Sequence, residues 1–295
     1  MIGRMRRLLV PATLANLGSG FDALGVALDL FLEVDAEPAP EDSFTYTGDG
    51  QVPFTQDNLV HQGYRAAWAE LGKAGPPVAI RAKNPIPLAR GMGSSSAALV
   101  AGAALADEMS GGKLGRDGVF RVTAGLEGHP DNVAPAVYGG FVAALAQPAV
   151  AIPLPRPADH VFVLAVPAHN LPTPEARAAL PKKIDFDDAV FNLARSALWP
   201  AALYAGRYDA LKYAAEDRIH QPHRAHLMPG LWEGLEAAYS AGAVAAFVGG
   251  AGPTLAALVK NSLAERLRSA LTTYAGETGK TFVLNIGEGY QWKEI

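Results

Sequence analysis

Apolar and polar positions follow two different periods along the chain, and the alternation between them predicts a mixed succession of strands and helices. Over residues 8–36, apolar residues alternate around a glycine-rich break, which predicts a strand, a loop and a second strand. Residues 57–71 and 94–109 have helical spacing and are followed by glycines, so each is expected to form a helix. Further helices are predicted over 116–126, much of 175–240 and 262–274, and further strands over 78–82, 141–146, 161–166, 244–248 and 282–286.

A group of prolines at residues 148–157 is the best candidate for a domain boundary, because proline favours extended backbone with few cross-contacts. At roughly 100–200 residues per domain, the chain has room for two domains. We therefore expect an N-terminal domain over 1–150 and a C-terminal domain over 151–295. Strands and helices do not alternate strictly, which favours the α+β class with two sheets, each covered on one face by helices.

Composition narrows the classes of function. The chain is 49% hydrophobic with a net charge of -4, so it can bury a full core and lacks the basic face that a nucleic-acid partner usually requires. The absence of cysteine excludes disulfides, thiolate metal sites and a cysteine nucleophile. Neither a signal peptide nor an uninterrupted run of ~20 apolar residues is apparent, so we expect a cytoplasmic protein without a membrane partner. The apolar content is compatible with a homodimer without requiring one.

The most informative stretch is PIPLARGMGSSSAA, residues 85–98. A strand is expected to lead through a proline-framed loop directly into the N-terminus of a helix. Gly91 and Gly93 allow backbone to approach a ligand closely, and the free amides of a first helical turn attract anions. The serines at 94–96 add hydroxyl groups, one of which can reach a metal bound to phosphates. The pattern therefore predicts a phosphate-binding loop rather than a merely capped helix.

Two other motifs resemble known sites, but their spacing disfavours them. Residues 279–281 read GKT, yet Tyr274 stands where a Walker loop needs its first glycine, and a strand is predicted to follow instead of a helix. The three histidines within residues 220–226 resemble a metal cluster, but Pro222 disturbs the helix on which they would share a face. Zinc binding is therefore disfavoured.

Four motifs in order resemble the GHMP kinase superfamily. Residues 85–98 fit its second motif, Pro-x3-Gly-x-Gly-Ser-Ser-x-Ala, and residues 249–254 (GGAGPT) resemble its third. Residues 11–22 (PATLANLGSGFD) are similar to the homoserine kinase version of the first motif, from which they depart at two positions. Residues 128–135 (GHPDNVAP) are similar to the His-x-Asp-Asn-Val segment of the same group. The resemblance spans almost the whole chain.

This resemblance implies a fold and an activity. The implied fold is α+β with two GHMP kinase domains: an N-terminal α/β domain with a mixed sheet and a C-terminal ferredoxin-like α+β sandwich. The implied activity is ATP- and Mg²⁺-dependent phosphorylation of the L-homoserine hydroxyl to O-phospho-L-homoserine, in threonine biosynthesis. Asn16 favours this branch, because mevalonate and galactose kinases typically carry lysine or arginine there. The alternatives are another small-molecule GHMP kinase, of the mevalonate or shikimate type, or a non-catalytic nucleotide-binding module.

The resemblance also implies where ATP and its magnesium ion would bind. Mg²⁺ prefers hard oxygen ligands, and Ser95 and Glu127 are the candidates. Backbone donors of two glycine loops would hold the phosphates. The expected nucleotide-binding residues are Pro87, Leu88, Ala89, Arg90, Gly91, Met92, Gly93, Ser94, Ser95, Ser96, Ala97, Gly250 and Gly252.

An amino-acid substrate is a zwitterion, so its pocket needs both a cation and an anion. The family pattern points to Arg177 and Arg224 for the carboxylate, because the planar guanidinium binds a carboxylate through two hydrogen bonds. Asp22 is the expected partner of the ammonium group, and Asn16 and His129 would complete the pocket by hydrogen bonding.

The catalytic base is the least determined role. Phosphoryl transfer depends mainly on positioning and charge neutralisation. Some relatives use an aspartate, and Asp131 lies in the corresponding neighbourhood, whereas the resemblance to homoserine kinases implies no well-placed base. We therefore expect Asn132 and Thr173 to orient the reacting groups.

Overall fold

The computed structural model describes residues 6–53 and 57–294. Its strands are β1 Arg6–Ala15, β2 Leu24–Pro38, β3 Ser43–Gly48, β4 Val78–Asn84, β5 Phe141–Leu145, β6 Val150–Leu154, β7 His160–Val166, β8 Ala245–Val248, β9 Leu255–Lys260, β10 Lys280–Leu284 and β11 Gln291–Glu294. Its helices are α1 Leu59–Glu70, α2 Ser94–Met109, α3 Gly115–Glu127, α4 Val133–Tyr138, α5 Thr173–Ala178, α6 Phe186–Ala205, α7 Leu211–Ala214, α8 Gln221–Arg224, α9 Leu231–Ser240 and α10 Ala264–Ala275.

Within the described residues, the first sheet has seven strands and is mixed. Strands β11, β1, β2, β4 and β3 pair in that order, while β5 joins β2 and β6 extends β5. Among the described strands of this sheet, only the β3–β4 pair is parallel. Helices α2 and α4 contact β1 and β2, and α1 and α3 contact α2, so the helices cover one face of this sheet. The expected mixed sheet of the N-terminal half is confirmed.

The second sheet has four described strands in the order β10, β7, β9, β8, and all pairs among them are antiparallel. Along the chain, β7 is followed by helices, then β8, β9, α10 and β10, which is the strand–helix–strand–strand–helix–strand order of a ferredoxin-like fold. Helices α9 and α10 contact β8 and β7. The expected α+β class and ferredoxin-like sandwich are confirmed.

Several strands are not predicted from the sequence. The stretch of prolines expected to be a boundary contains β6, which sits at the sheet edge, where proline's missing N–H is tolerated. Strand β9 follows the third glycine motif directly, and β11 returns from the end of the chain to pair with β1. Strands β6 and β11 lie at or beyond residue 150 in the chain, yet both belong to the first sheet. The division of the chain at residue 150 remains a prediction.

Aromatic packing joins the two halves. Trp199 of α6 is fully buried, and its ring centroid lies 6.0 Å from that of Phe141 on β5 and 6.1 Å from that of Phe247 on β8. Phe162 on β7 contacts both phenylalanines. Large buried aromatic rings contribute strongly to core stability, so this cluster fixes how the loops of the two sheets meet.

Within residues 6–53 and 57–294, no helix has the length and apolar character that crossing a membrane would require.

One buried histidine links stability to pH. His160, at the start of β7, is only 8% exposed and faces the ring of Tyr208 at 5.0 Å. Among the described residues, neither of its ring nitrogens has a hydrogen-bond partner. Burial therefore lowers the pKa of His160, because the charged imidazolium would lose its solvation.

Stability should consequently fall as the solution becomes acidic. The pKa of His160 in the folded protein lies below the usual 6.5, so on acidification the unfolded chain binds the proton first. The free energy of unfolding is therefore highest above about pH 6.5 and decreases as the pH falls below it. We expect His160→Phe to reduce the loss in the free energy of unfolding between about pH 7 and pH 5, measured by urea titration. The exposed His169→Phe is the control and should keep the parent slope. An unchanged slope in His160→Phe would contradict the assignment.

Candidate active site

Loops from both halves of the chain meet in one cleft. The glycine–serine loop before α2, the loop after β1, the end of α3, α5, α8 and the loop after β8 all contribute to its wall. The cleft is lined by Ala15, Asn16, Phe21, Asp22, Pro87, Ala89, Arg90, Gly91, Met92, Gly93, Ser94, Ser95, Ser96, Glu127, His129, Asp131, Asn132, Thr173, Arg177, Arg224, Gly250 and Ala251. Segments from opposite ends of the sequence therefore build one site.

The glycine–serine loop presents free donors to the cleft. Helix α2 begins at Ser94, and its N-cap Gly93 makes no side-chain capping bond. Within the described part of the chain, no acceptor is bonded to the backbone N–H groups of residues 91–96, and the first helical bond is donated by Ala97 to the carbonyl of Gly93. A row of free amides at the positive end of a helix dipole binds anions, above all phosphate.

Two glycines of this loop are required by close contacts. Gly93 has a φ of 69°, and a Cβ there would overlap the hydroxyl of Thr13 on β1. Gly91 has a φ of 73°, and a Cβ there would overlap the carbonyl of Gly249 in the third motif. The loop is therefore clamped between the first and third motifs, and side chains at these positions would push it away.

Backbone strain is concentrated at the same cleft. Among the described non-glycine residues, four have positive φ: Asn16 at 71°, Leu17 at 47°, Asp22 at 54° and Ala89 at 52°. Three of these line the cleft. Such conformations cost about 1–3 kcal/mol each and persist only where surrounding contacts hold them, as they do at many functional sites.

Ser95, Ser96 and Glu127 form a cluster of hard oxygen donors beside the free amides. The Ser95 hydroxyl donates to both carboxylate oxygens of Glu127 at 3.2 Å, and the Ser96 hydroxyl donates to Oε1 at 3.0 Å. Glu127 is the last residue of α3, so its carboxylate is held against the start of α2. Hydroxyl and carboxylate oxygens are ligands that Mg²⁺ accepts.

His129, Asp131 and Asn132 form a second polar group behind the loop. His129 Nδ1 donates to Asp131 Oδ1 at 2.6 Å, and the backbone N–H of Asn132 donates to the same oxygen at 3.0 Å. Asp131 is 2% exposed. Although burial opposes the charged ring, the hydrogen bond to Asp131 and its charge raise the pKa of His129. The Thr13 hydroxyl donates to Asn132 Oδ1 at 2.8 Å, which fixes the amide.

Asp22 and Arg177 form a two-point ion pair across the cleft. Arg177 Nη2 lies 2.7 Å from Asp22 Oδ1, and Nη1 lies 3.1 Å from Oδ2. The hydrogen bonds to Asp22 raise the pKa of Arg177. Asp22 also lies close to His129 and Asp131: one carboxylate oxygen of each aspartate and one ring nitrogen of His129 lie within 4.8 Å of one another. This concentration of negative charge suits a cation or an ammonium group.

Arg224 is a buried cation at the floor of the cleft. It is 2% exposed, and desolvation, aided by the charge of Arg177, lowers the pKa of Arg224 to about 10. Its guanidinium donates to the carbonyls of Ala176 at 3.0 Å and Gly250 at 3.3 Å. The ring of Phe21 lies 5.4 Å from this guanidinium and 5.6 Å from that of Arg177, so one aromatic ring supports both cations.

An apolar pocket adjoins the cleft. It shares Ala89, Ser94, Ser95 and Thr173 with the cleft, so the two spaces are continuous at the start of α2. Its remaining walls come from strands β2 to β4, the start of α1 and the start of α5, and include Leu32, Phe44, Tyr46, Val52, Asn58, Leu59, Val60, Ala82, Asn84, Leu88, Ala98, Pro172 and Pro174. A mostly apolar cavity of this kind suits a flat heterocycle.

The structure brings most of the predicted site residues to this cleft. Three lie outside its wall: Leu88 lines the apolar pocket, Ala97 is fully buried on α2, and Gly252 packs against Met228. Ala15, Phe21 and Ala251 also line the cleft but were not predicted from the sequence, and neither was the apolar pocket. Phe21 adjoins Asp22 in the first motif, so its place in that motif is the signal that could have identified it. The histidines of residues 220–226 do not gather: His220 is buried against the Gly18 carbonyl, while His223 is exposed.

Comparison with known proteins decides the family. Residues 58–140 match the N-terminal domain of the GHMP kinases, and residues 201–277 match the C-terminal domain of the GHMP kinases. A homoserine kinase of Thermus thermophilus is 68% identical over 98% of both chains. The chain belongs to the homoserine kinase family of GHMP kinases. A homoserine kinase of Moorella thermoacetica is 42% identical, covering 85% of this chain and 86% of its own.

A solved structure extends the likeness to three dimensions. The homoserine kinase of Cytophaga hutchinsonii superposes with a TM-score of 0.90 at 27% identity, covering 99% of this chain and 98% of its own. The glycine–serine loop and residues 127–132 fall within the GHMP kinase N-terminal match, and Arg224 and Gly250 fall within the C-terminal match. Asn16, Asp22 and Arg177 lie outside both, so this part of the homoserine kinase cleft comes from segments that neither match covers.

A methyl group at Gly93 should disable this loop. Gly93→Ala places a side chain in a left-handed conformation against Thr13, so the loop must shift. We expect the free energy of unfolding to fall by about 1–3 kcal/mol. Displacing the free amides should also lower kcat/KM with ATP by about 100-fold or more.

The matched control is Gly125→Ala in α3, where a Cβ would meet nothing within 4 Å. Because alanine favours helix, this control should be neutral or stabilising. Equal losses of stability and of kcat/KM in the two variants would show that these losses do not come from the geometry of the glycine–serine loop.

Proposed function

We propose that this chain phosphorylates the hydroxyl of L-homoserine with ATP, giving O-phospho-L-homoserine and ADP, a step of threonine biosynthesis. The observation that carries the proposal is the meeting, in one cleft, of a row of free amides with a pocket containing both Asp22 and the pair Arg177 and Arg224. The amides suit a nucleotide's phosphates. The opposite charges suit an acceptor that carries both an ammonium group and a carboxylate.

The nucleotide would occupy the cleft and the pocket that adjoins it. Its phosphates would accept hydrogen bonds from the N–H groups of residues 91–96. Its adenine would enter the apolar pocket, whose walls Phe44, Tyr46 and Leu59 supply flat and aliphatic contacts. Ser94 and Ser95 line both spaces, so a single ligand can reach from one to the other.

Magnesium is supported by the oxygen donors of the cleft. The hydroxyls of Ser95 and Ser96 both lie within 3.2 Å of the Glu127 carboxylate, next to the proposed phosphate site. Ser95 and Glu127 are the residues that would hold the ion, with phosphate oxygens and water as its other ligands. The ion would neutralise negative charge on the transferring phosphate.

The substrate would exchange an internal ion pair for its own charges. The carboxylate would accept hydrogen bonds from Arg177 and Arg224, and the ammonium group would lie against Asp22 with His129 and Asn16 nearby. Asp22 and Arg177 satisfy each other while the pocket is empty, at 2.7 Å and 3.1 Å. A zwitterion replaces each partner with another of the same charge, so neither residue is left unpaired.

The transfer itself requires little from the protein beyond placement. The hydroxyl oxygen bonds to the γ-phosphorus, the bond from that phosphorus to ADP oxygen breaks, and the hydroxyl proton leaves. Asp131 is poorly suited as the base, because its Oδ1 already accepts from His129 and from the Asn132 backbone. Asn132 and Thr173 line the cleft and would orient the reacting groups, while the proton passes to phosphate oxygen.

A panel of acceptors tests the proposal. Purified protein is given ATP and Mg²⁺ with L-homoserine, mevalonate, shikimate or no acceptor, and ADP formation is measured. We expect turnover with L-homoserine alone, because the other two acids lack the ammonium group that Asp22 would bind. Arg177→Gln should raise the KM for L-homoserine by about 10-fold or more and leave the KM for ATP unchanged.

Turnover with mevalonate or shikimate instead would identify a different acceptor. ATP binding without transfer to any of the three would indicate a non-catalytic nucleotide-binding module. Either result would contradict the proposal.

The role of Asp131 generates a separate prediction. If Asp131 orients His129 and the Asn132 backbone, Asp131→Asn should lower kcat by about 10- to 100-fold with correct folding. Removing its charge should also lower the pKa of His129, which would displace the acidic limb of the pH profile of kcat/KM. The exposed Asp159→Asn is the control and should leave both unchanged. A fall of ~10⁴ or more would instead identify Asp131 as a general base.

A further inference from the structure

The loop between β1 and β2 is held from behind by three buried side chains. The carbonyls of residues 17, 18 and 19 accept, in that order, from Trp199 Nε1 at 2.9 Å, His220 Nε2 at 2.7 Å and Asn192 Nδ2 at 3.3 Å. None of these donors is among the described residues that line the cleft. Because this loop presents Asp22 to the acceptor pocket, groups behind the wall of the cleft fix the position of that carboxylate.

His220 also contacts the acceptor pocket itself. Its Nδ1 lies 3.4 Å from Arg224 Nη1, and its ring centroid lies 5.2 Å from that of Phe21. Phe21 in turn supports the guanidinium groups of Arg177 and Arg224. One imidazole therefore connects the loop that presents Asp22 with the cation at the floor of the cleft.

The partners of this ring decide which nitrogen carries its hydrogen. The Gly18 carbonyl can only accept, so Nε2 of His220 must be the donor. The guanidinium of Arg224 can only donate, so Nδ1 must be the acceptor without a hydrogen. A ring protonated at both nitrogens would direct an N–H at a cation, so this arrangement requires the neutral ring. Burial lowers the pKa of His220, which favours the same form.

A buried carboxylate, that of Asp217, organises these donors. Its side chain is fully buried, Oδ1 accepts from Asn192 Nδ2 at 2.8 Å, and Oδ2 accepts from the backbone N–H of His220 at 3.0 Å. The backbone N–H groups of Ile219 and Gln221 also donate to this carboxylate, at 2.9 Å and 2.6 Å. Asp217 therefore fixes the start of α8, the helix whose last residue reaches the acceptor pocket.

We propose that Asp217 and His220 are positioning residues of the acceptor pocket, which set the orientation of Arg224 and the place of Asp22 before the substrate binds. The inference rests on the proposed function, in which Arg224 binds the acceptor's carboxylate and Asp22 binds its ammonium group. Neither Asp217 nor His220 is among the described residues that line the cleft, so both act through the residues they hold.

The alternative is that these two residues only stabilise the fold. A helix cap, however, would not need the ring, because Asp217 accepts from the backbone at the start of α8 whatever side chain stands at position 220. Both ring nitrogens of His220 serve the loop and Arg224 instead. A positioning role should therefore appear in acceptor binding, whereas a structural role should affect both substrates or neither.

Three substitutions at residue 220 separate the two bonds of the ring. His220→Gln places an amide N–H near the position of Nε2, so it keeps a donor for Gly18 but offers Arg224 no acceptor. His220→Asn places an amide oxygen near Nδ1, so it keeps the acceptor for Arg224 but cannot reach Gly18. His220→Phe keeps a ring and neither bond. We expect His220→Phe to raise the KM for L-homoserine by about 10-fold or more and the other two to raise it less, with the KM for ATP unchanged in all three.

Asp217→Asn tests the carboxylate. Its amide would direct an N–H at a backbone donor, so we expect the KM for L-homoserine to rise by about 10-fold or more and the KM for ATP to change by less than about 3-fold. The matched controls are His223→Gln, exposed on α8, and Asp187→Asn, exposed on α6, and both should keep the parent constants. Circular dichroism establishes that each variant is folded, and the series at residue 220 decides if Asp217→Asn is not.

The tautomer gives a readout that does not depend on turnover. In protein labelled with 15N-histidine at about pH 8, the ring signals that disappear in His220→Gln should show a hydrogen on Nε2 and none on Nδ1. A hydrogen on Nδ1 would contradict the contact with Arg224 and overturn the proposal.

The kinetic results separate this inference from the proposed function. Turnover of L-homoserine by the parent, with an unchanged KM in folded His220→Phe or an equal rise in both KM values, would overturn the inference alone. Turnover of another acid in the acceptor panel, with the KM for that acid raised in His220→Phe, would overturn only the choice of L-homoserine. A parent that phosphorylates no acceptor would contradict both.

Discussion

The site depends on the backbone of Gly250, whose carbonyl and N–H tie three distant segments together. Its carbonyl accepts from Asn16 Nδ2 at 2.9 Å and from Arg224 Nη1 at 3.3 Å, and its N–H donates to the Ala15 carbonyl at 3.2 Å. These bonds join the first motif, the third motif and α8. The glycine–serine loop is clamped onto the same junction through Gly91, so the phosphate site and the acceptor pocket keep one relative geometry.

The buried Arg224 explains why this junction is polar. A guanidinium removed from water is costly unless its donors are bonded, and here backbone carbonyls of Ala176 and Gly250 accept two of them. Neither carbonyl carries a full charge, and among the described residues no carboxylate is hydrogen-bonded to Arg224, although the charges of Asp22, Asp217 and Asp131 act on it. Arg224 Nη1 also donates to His220 Nδ1 at 3.4 Å, and burial lowers the pKa of that histidine. A substrate carboxylate is the group that would complete this environment.

Local pattern determines the elements that the sequence predicts well. Helix α2 is expected and found over Ser94–Met109, because glycines bound its small-residue run, and α3 differs by one residue at each end. Strands β3, β6, β9 and β11 are missed because they are short and form by pairing with a neighbouring strand. The apolar pocket is missed for a related reason. Its walls join β2, β3 and α5, and no spacing along the chain reports that they converge.

Helix α6 helps to hold the strained loop that follows β1. Asn16, Leu17 and Asp22 hold left-handed backbone without glycine, a conformation that costs about 1–3 kcal/mol per residue unless contacts maintain it. The inner face of α6 supplies such contacts to the carbonyls of Leu17 and Ser19. An interaction that stabilises the outer face of this helix would therefore also stabilise the loop that presents Asp22 to the acceptor. The fixed position of α6 therefore constrains the loop on which the acceptor pocket depends.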